Sequence, residues 1–236
     1  MKRILAAMTA ALMMVALVSS TVFAVAPTSN LMGQAWKVYN VKPATSSFWD
    51  INKVKLDAEG ILTFPIQQFD TTSTGSFAVY LLNNYNKDIT GQTFSAEAYW
   101  TIGEYKTRST VFPGAYVRFE FQDVAAGSYN SNDYWWSTGT NSLDLNVGWG
   151  GTLTASLSDC TLWSNQSGKS ACDTTQDWTE WQGDVVHASP AEGFANAMKN
   201  VKQLGLSFGS SGSYASGVAL VGDSGVFRVV AFDLTP

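Results

Sequence analysis

Apolar and polar side chains alternate along most of this chain after its first two dozen residues. In "AYVRFEFQD" (115–123), Val117, Phe119 and Phe121 share one face, while Tyr116, Arg118, Glu120 and Gln122 share the other. "TFSAEAYWTI" (93–102) repeats the pattern: Phe94, Ala96, Ala98 and Trp100 face one way, Ser95, Glu97 and Tyr99 the other. Similar runs occur at 61–69, 76–85, 142–149, 151–157, 204–209 and 225–234, separated by Gly, Asn, Asp, Ser and Pro. Their number and spacing predict an all-β chain, a two-sheet antiparallel β-sandwich of jelly-roll type. One segment breaks the alternation. In "SPAEGFANAMKNVKQLG" the apolar residues Phe194, Ala197, Met198, Val201 and Leu204 recur at helical spacing. With Ser189 as N-cap, Pro190 and Glu192 in the first turn and Gly205 as stop, this predicts one short helix over 190–204.

If the two best runs are neighbours in one sheet, its outer surface carries Glu97, Tyr99, Tyr116, Arg118, Glu120 and Gln122 together. A pyranose offers an apolar C–H face to aromatic rings and equatorial hydroxyls to carboxylates, amides and guanidinium groups, so such a surface suits sugars. The competing reading is a solvated sheet face with a weak surface salt-bridge cluster. The aromatics weigh against it. In "SNDYWWSTGTNSLDLN" (131–146), Tyr134, Trp135 and Trp136 stand side by side among turn-forming residues. If extended, Tyr134 and Trp136 share a face and Trp135 takes the other, so at least one large ring lies outside the main core. If the stretch is a loop, the three rings form a wall beside the sheet. A second cluster, "DWTEWQGD" (177–184), places Trp178, Glu180 and Gln182 opposite Trp181, and Trp149 and Trp163 add to nine tryptophans in all.

Charge and cysteines narrow the field. Lys2 and Arg3, an apolar run of 15 residues and "SSTVFA" have the order of a secretory signal peptide cleaved after about Ala24, with Ala26 as the rival site. The run is short for a membrane anchor, which needs ~20 residues. The expected mature protein is a single domain, 25–236, secreted to the periplasm or medium, without membrane insertion. Cleavage removes two basic and no acidic residues, leaving 12 Lys and Arg against 19 Asp and Glu, a net charge of −7. That balance excludes nucleic acid as an expected partner. The two cysteines, Cys160 and Cys172, are expected to form a disulfide; with one histidine they make no zinc site.

The chain resembles secreted bacterial carbohydrate-binding modules of the galactose-binding-like jelly-roll type. The likeness is strongest at the end, where "FANAMKNVKQLGLSFG" leads through a Gly/Ser-rich turn to the closing strand "GVFRVVAFDL". "NLMGQAW" and the aromatic-polar middle are similar in character. The resemblance implies a monomer that binds polysaccharide or oligosaccharide without cleaving it. It needs no cofactor, except that many such modules hold a structural calcium through an acid of the closing strand, here Asp233.

Two other classes compete. A jelly-roll glycoside hydrolase would use Glu97 and Glu120 as its paired carboxylates, but Arg118 between them suits a nucleophile better than a proton donor. A structural or adhesive surface protein would use the aromatics for protein contacts. His187 lacks the partners of a catalytic triad. "NQS" (165–167) fits a glycosylation sequon.

Overall fold

The computed structural model describes residues 29–34, 36–41, 48–53, 56–69, 77–80, 85–107, 111–123, 134–138, 141–165, 167–175, 178–179, 186–187 and 189–236. The expected signal peptide lies outside the described residues. So do Glu180, Trp181 and Gln182, and the side chains of Trp178 and His187.

In chain order the strands are β1 (Ser29–Asn30), β2 (Lys37–Val41), β3 (Phe48–Lys53), β4 (Leu62–Ile66), β5 (Phe77–Tyr80) and β6 (Thr93–Trp100). Next come β7 (Tyr105–Thr107), β8 (Tyr116–Gln122), β9 (Tyr134–Ser137), β10 (Leu143–Asp144), β11 (Gly150–Ser156) and β12 (Trp163–Asn165). The last are β13 (Trp178–Thr179), β14 (Val186–His187), β15 (Gln203–Gly209), β16 (Val218–Leu220) and β17 (Gly225–Thr235), with one α-helix, α1 (Pro190–Met198), before β15.

Thirteen of these strands build an antiparallel sandwich, while β7 pairs with β16 and β13 with β14 in two small ribbons. One sheet of five has the order β1-β17-β6-β11, with β4 also on β17. The other, of eight, runs β12-β9-β8-β15-β5-β2-β3, with β10 on β8. The inward residues of β6 meet those of β8, as the alternation requires: Phe94 stacks on Phe119 with centroids 5.1 Å apart. Phe64 of β4 and Phe227 of β17 reach Phe208 of β15 at 6.0 and 5.0 Å. A bulge between Val229 and Ala231 shifts the parity of β17. Phe227 and Val229 before it, and Phe232 and Leu234 after it, therefore all point inward.

The helix starts where expected and stops early. Ser189 is extended (φ −160°, ψ 163°), and its Oγ accepts from the Glu192 amide at 3.2 Å, with Pro190 in the first turn. It ends at Met198, not near 204. Val201 and Leu204 kept the helical spacing for another reason. Val201 is buried in a bridge to Lys87, and Leu204 is an inward residue of β15. The expected strand over 142–149 likewise shrinks to Leu143–Asp144. Asp144 Oδ1 accepts from the Asn146 amide, and Asn146 Oδ1 accepts from the Tyr105 amide, which turns the chain.

Cys160 and Cys172 form the disulfide, as expected, which points to an oxidising compartment rather than the reducing cytoplasm. Among the described residues no helix is long and apolar enough to cross a membrane. The sequon at 165–167 is not a surface acceptor. Asn165 is fully buried, and its Oδ1 accepts from the amides of Ser167 and Lys169.

Candidate functional site

The six residues expected on one surface are divided between two. β6 belongs to the five-stranded sheet and β8 to the eight-stranded one. Glu97 and Tyr99 point out of one side of the sandwich; Tyr116, Arg118, Glu120 and Gln122 point out of the other. Packed sheets stand about 10 Å apart, and outward side chains diverge further. Glu97 and Glu120 therefore cannot flank one glycosidic bond, where the carboxyl groups stand roughly 5–9.5 Å apart.

The outer side of the five-stranded sheet holds an open cleft of about 520 Å³. Its floor is Tyr99, at the end of β6. Tyr99 lies opposite Gly150 of β11, where an added Cβ would come within 2.3 Å of the ring. The glycine thus lets the phenol lie across the neighbouring strand. Trp149, the residue before, stacks on that ring at 5.1 Å and 23°. It remains 60% exposed, while its carbonyl accepts from the Trp100 amide at 2.8 Å. Arg228 stands in register with Tyr99 on the other side, and Ile61, Val226 and Val230 complete the wall. The Tyr99 hydroxyl donates to Glu97 Oε1. That hydrogen bond, with the nearby carboxylate charge, raises the Tyr99 pKa and keeps the phenol neutral. Val226, in the cleft wall, is also exposed, as are Ile102 and Val147, each within two residues of a cleft residue in sequence.

Along β8 the outer side of the eight-stranded sheet is not a solvated face. Arg118, Glu120 and Gln122 are all buried, Arg118 at 4% exposure and the other two at 0%. The Arg118 guanidinium lies over the rings of Tyr116 and Tyr214, at 4.9 and 4.8 Å. Gln122 Nε2 donates to Gln203 Oε1 across the β8–β15 pair. Tyr214 comes from the serine-rich loop after β15, whose Ser207 neighbour donates to the Tyr214 carbonyl at 2.9 Å.

The aromatic triplet is a strand, not a loop wall. Trp135 points into the main core, edge-on to Phe194 at 5.0 Å. Trp136 points outward and stacks on Tyr134 at 5.4 Å, yet it is only 2% exposed. Of the three, only Tyr134 is half-buried; none is an open platform. The exposed ring that sequence reasoning left in the tally is Trp149. The local signal was "WGG" (149–151): two glycines opening a strand leave room for rings to lie flat.

Asp233 sits on the outer face of β17, in register with Asn30 and Ser95. Among the described residues no group of three or more His, Cys, Asp or Glu could hold a metal ion. One carboxylate does not fit a calcium ion, which takes 6–8 oxygen ligands.

Arg118 carries a cost. Burial pushes its guanidinium from 12.5 down to about 10, so the fold disfavours its charged form. The penalty is full below about pH 10 and relieved as pH rises towards the unfolded value. The net shift corresponds to about 3 kcal/mol against the charged form, and a replacement also gives up the packing of the two rings. Arg118→Met is therefore expected to raise stability by about 1 kcal/mol in urea unfolding, equally at any pH between about 5 and 9. A loss of more than about 1 kcal/mol would mean that the ring contacts outweigh desolvation.

No family model, curated protein or solved structure matches the chain.

Proposed function

We propose that the chain is an exported, non-catalytic glycan-binding protein whose sugar lies on the Tyr99–Trp149 cleft. The observation that carries this reading is the stacked pair itself: an exposed tryptophan on a tyrosine, in an open cleft that Arg228 also lines, with the tyrosine hydroxyl bonded to Glu97. The rings offer the apolar surface that a pyranose C–H face covers. Arg228 supplies donors at one edge, and Glu97, through the Tyr99 hydroxyl it holds, supplies an acceptor at the other. The signal-peptide order at the start of the chain and the disulfide support export. The likeness to galactose-binding-like modules belongs to the same reading. The wide separation of Glu97 and Glu120 favours binding over two-carboxylate hydrolysis.

The test is titration with a panel of soluble plant, fungal and bacterial polysaccharides, followed by tryptophan fluorescence, with reducing ends assayed in the same samples. A saturable change without new reducing ends is expected. Trp149→Ala should weaken it at least ~10-fold, because a central aromatic anchor typically carries about 2 kcal/mol or more. Trp149 is exposed, so the variant keeps the fold. Equal affinity in Trp149→Ala would move the sugar elsewhere, and new reducing ends would make the protein an enzyme. Silence across the panel, with a size that grows with concentration, would favour a surface-assembly protein.

A further inference from the structure

We propose that the eight-stranded sheet carries a second site, in which the edge of the Arg118 guanidinium and the indole N–H of Trp136 bind a carboxylate. The rings of Tyr116 and Tyr214 lie against the guanidinium, 4.9 and 4.8 Å from its carbon, and its edge is left to bond. On that edge Nε and Nη1 make no hydrogen bond, although both atoms are buried. Trp136 Nε1 is likewise buried and unbonded. The Trp136 ring touches the same Tyr214 ring, at 5.7 Å and 56°. Buried polar groups are nearly always bonded, and a set that is not asks for an explanation. Here every unmet atom of the set is a donor, and one is cationic.

Such a set calls for an anionic acceptor. Among the described residues no carboxylate of the chain bonds to that edge of the guanidinium. Glu120 lies two residues along on the same face of β8, which disfavours a doubly charged phosphate more than a singly charged carboxylate. A carboxylate brings two oxygens and one charge, and charge-assisted hydrogen bonds to it are about twice as strong as neutral ones. Entry is between Tyr116 and Tyr214, the half-buried walls, with the 210–217 loop giving way. The carboxylate is either a free small acid or a uronic acid of a glycan. Trp149 lies on the opposite side of the sandwich, so this site stands or falls apart from the glycan cleft.

The experiment follows the Arg118 Nε–H signal by ¹⁵N NMR, with tryptophan fluorescence alongside. Acetate, glucuronate, polygalacturonate and neutral glucose are titrated into the whole protein and into Arg118→Gln, Trp136→Phe and Trp149→Ala. A saturable shift with a carboxylate and none with glucose is expected. The fluorescence response should vanish in Arg118→Gln, weaken several-fold in Trp136→Phe, and persist in Trp149→Ala. A response to acetate identifies a free-acid site; a response to the uronates alone identifies an acidic glycan. Trp136→Phe keeps the ring and removes only the donor, so it tests the site even if Arg118→Gln does not fold. The proposal is overturned if no carboxylate shifts the Nε–H signal, or if Trp136→Phe binds as tightly as the parent.

Discussion

Phe94→Ala is expected to cost about 3–5 kcal/mol in urea unfolding, the largest effect of any single replacement considered. Phe94 is fully buried and joins the two sheets. From β6 it stacks on Phe119 at 5.1 Å and Phe121 at 6.5 Å in the opposite sheet. It also meets Trp163 at 5.8 Å and Phe232 at 6.0 Å. Truncation removes the transfer energy of the ring and leaves a cavity walled by four other rings, which cannot all move in without breaking their own contacts. Domains of this kind are held by only about 5–15 kcal/mol, so the variant should lie close to the edge of folding. Phe94→Leu keeps most of the volume and should recover more than half of the loss. A cost below about 1.5 kcal/mol for Phe94→Ala would mean that the sheets close over the gap.

That core was legible in the sequence because a strand repeats every two residues. Phe94, Ala96, Ala98 and Trp100, and Val117, Phe119 and Phe121, are inward as the alternation requires. Alternation assigns a residue to a face of its own strand. It does not say which sheet the strand joins. Thus Tyr99 and Arg118, each rightly placed on an outward face, were expected together and stand on opposite sides. Sheet membership is set by long-range pairing: β6 with β17 and β11, β8 with β9 and β15.

Burial of the outward row on β8 was also hidden. Nothing local to "RFEFQ" tells that Tyr214, about a hundred residues on, folds over Arg118. The cover is a close fit. An added Cβ on Gly209 would come within 2.3 Å of the Ser213 and Tyr214 carbonyl oxygens, so the loop lies directly on the strand it follows. The helix end was misjudged for a related reason. Two inward residues after Met198 happened to continue a helical period that the backbone had already left.

Removing the disulfide, as Cys160→Ser with Cys172→Ser, is expected to cost about 3 kcal/mol, nearly as much as the Phe94 ring. The bridge joins residues 12 apart and encloses β12, the edge strand of the eight-stranded sheet. β12 has only three residues, pairs with β9, and folds back through a bridge between Ser164 and Ser170. So short an edge would fray if it were not tied. Yet it carries Trp163, buried against Phe121 at 5.4 Å and Phe194 at 6.0 Å, with its indole N–H donating to the Ser156 carbonyl at 2.9 Å. Closing the loop lowers the entropy of the unfolded chain and so holds that ring in the core at less cost in order. Hydrogen exchange should show where the loss falls: in the double variant the amides of Trp163–Asn165 lose protection first, before those of β6 and β8. If the variant loses less than about 1 kcal/mol and these amides stay protected, the packing of Trp163 alone holds the edge strand, and the bridge is not what secures it.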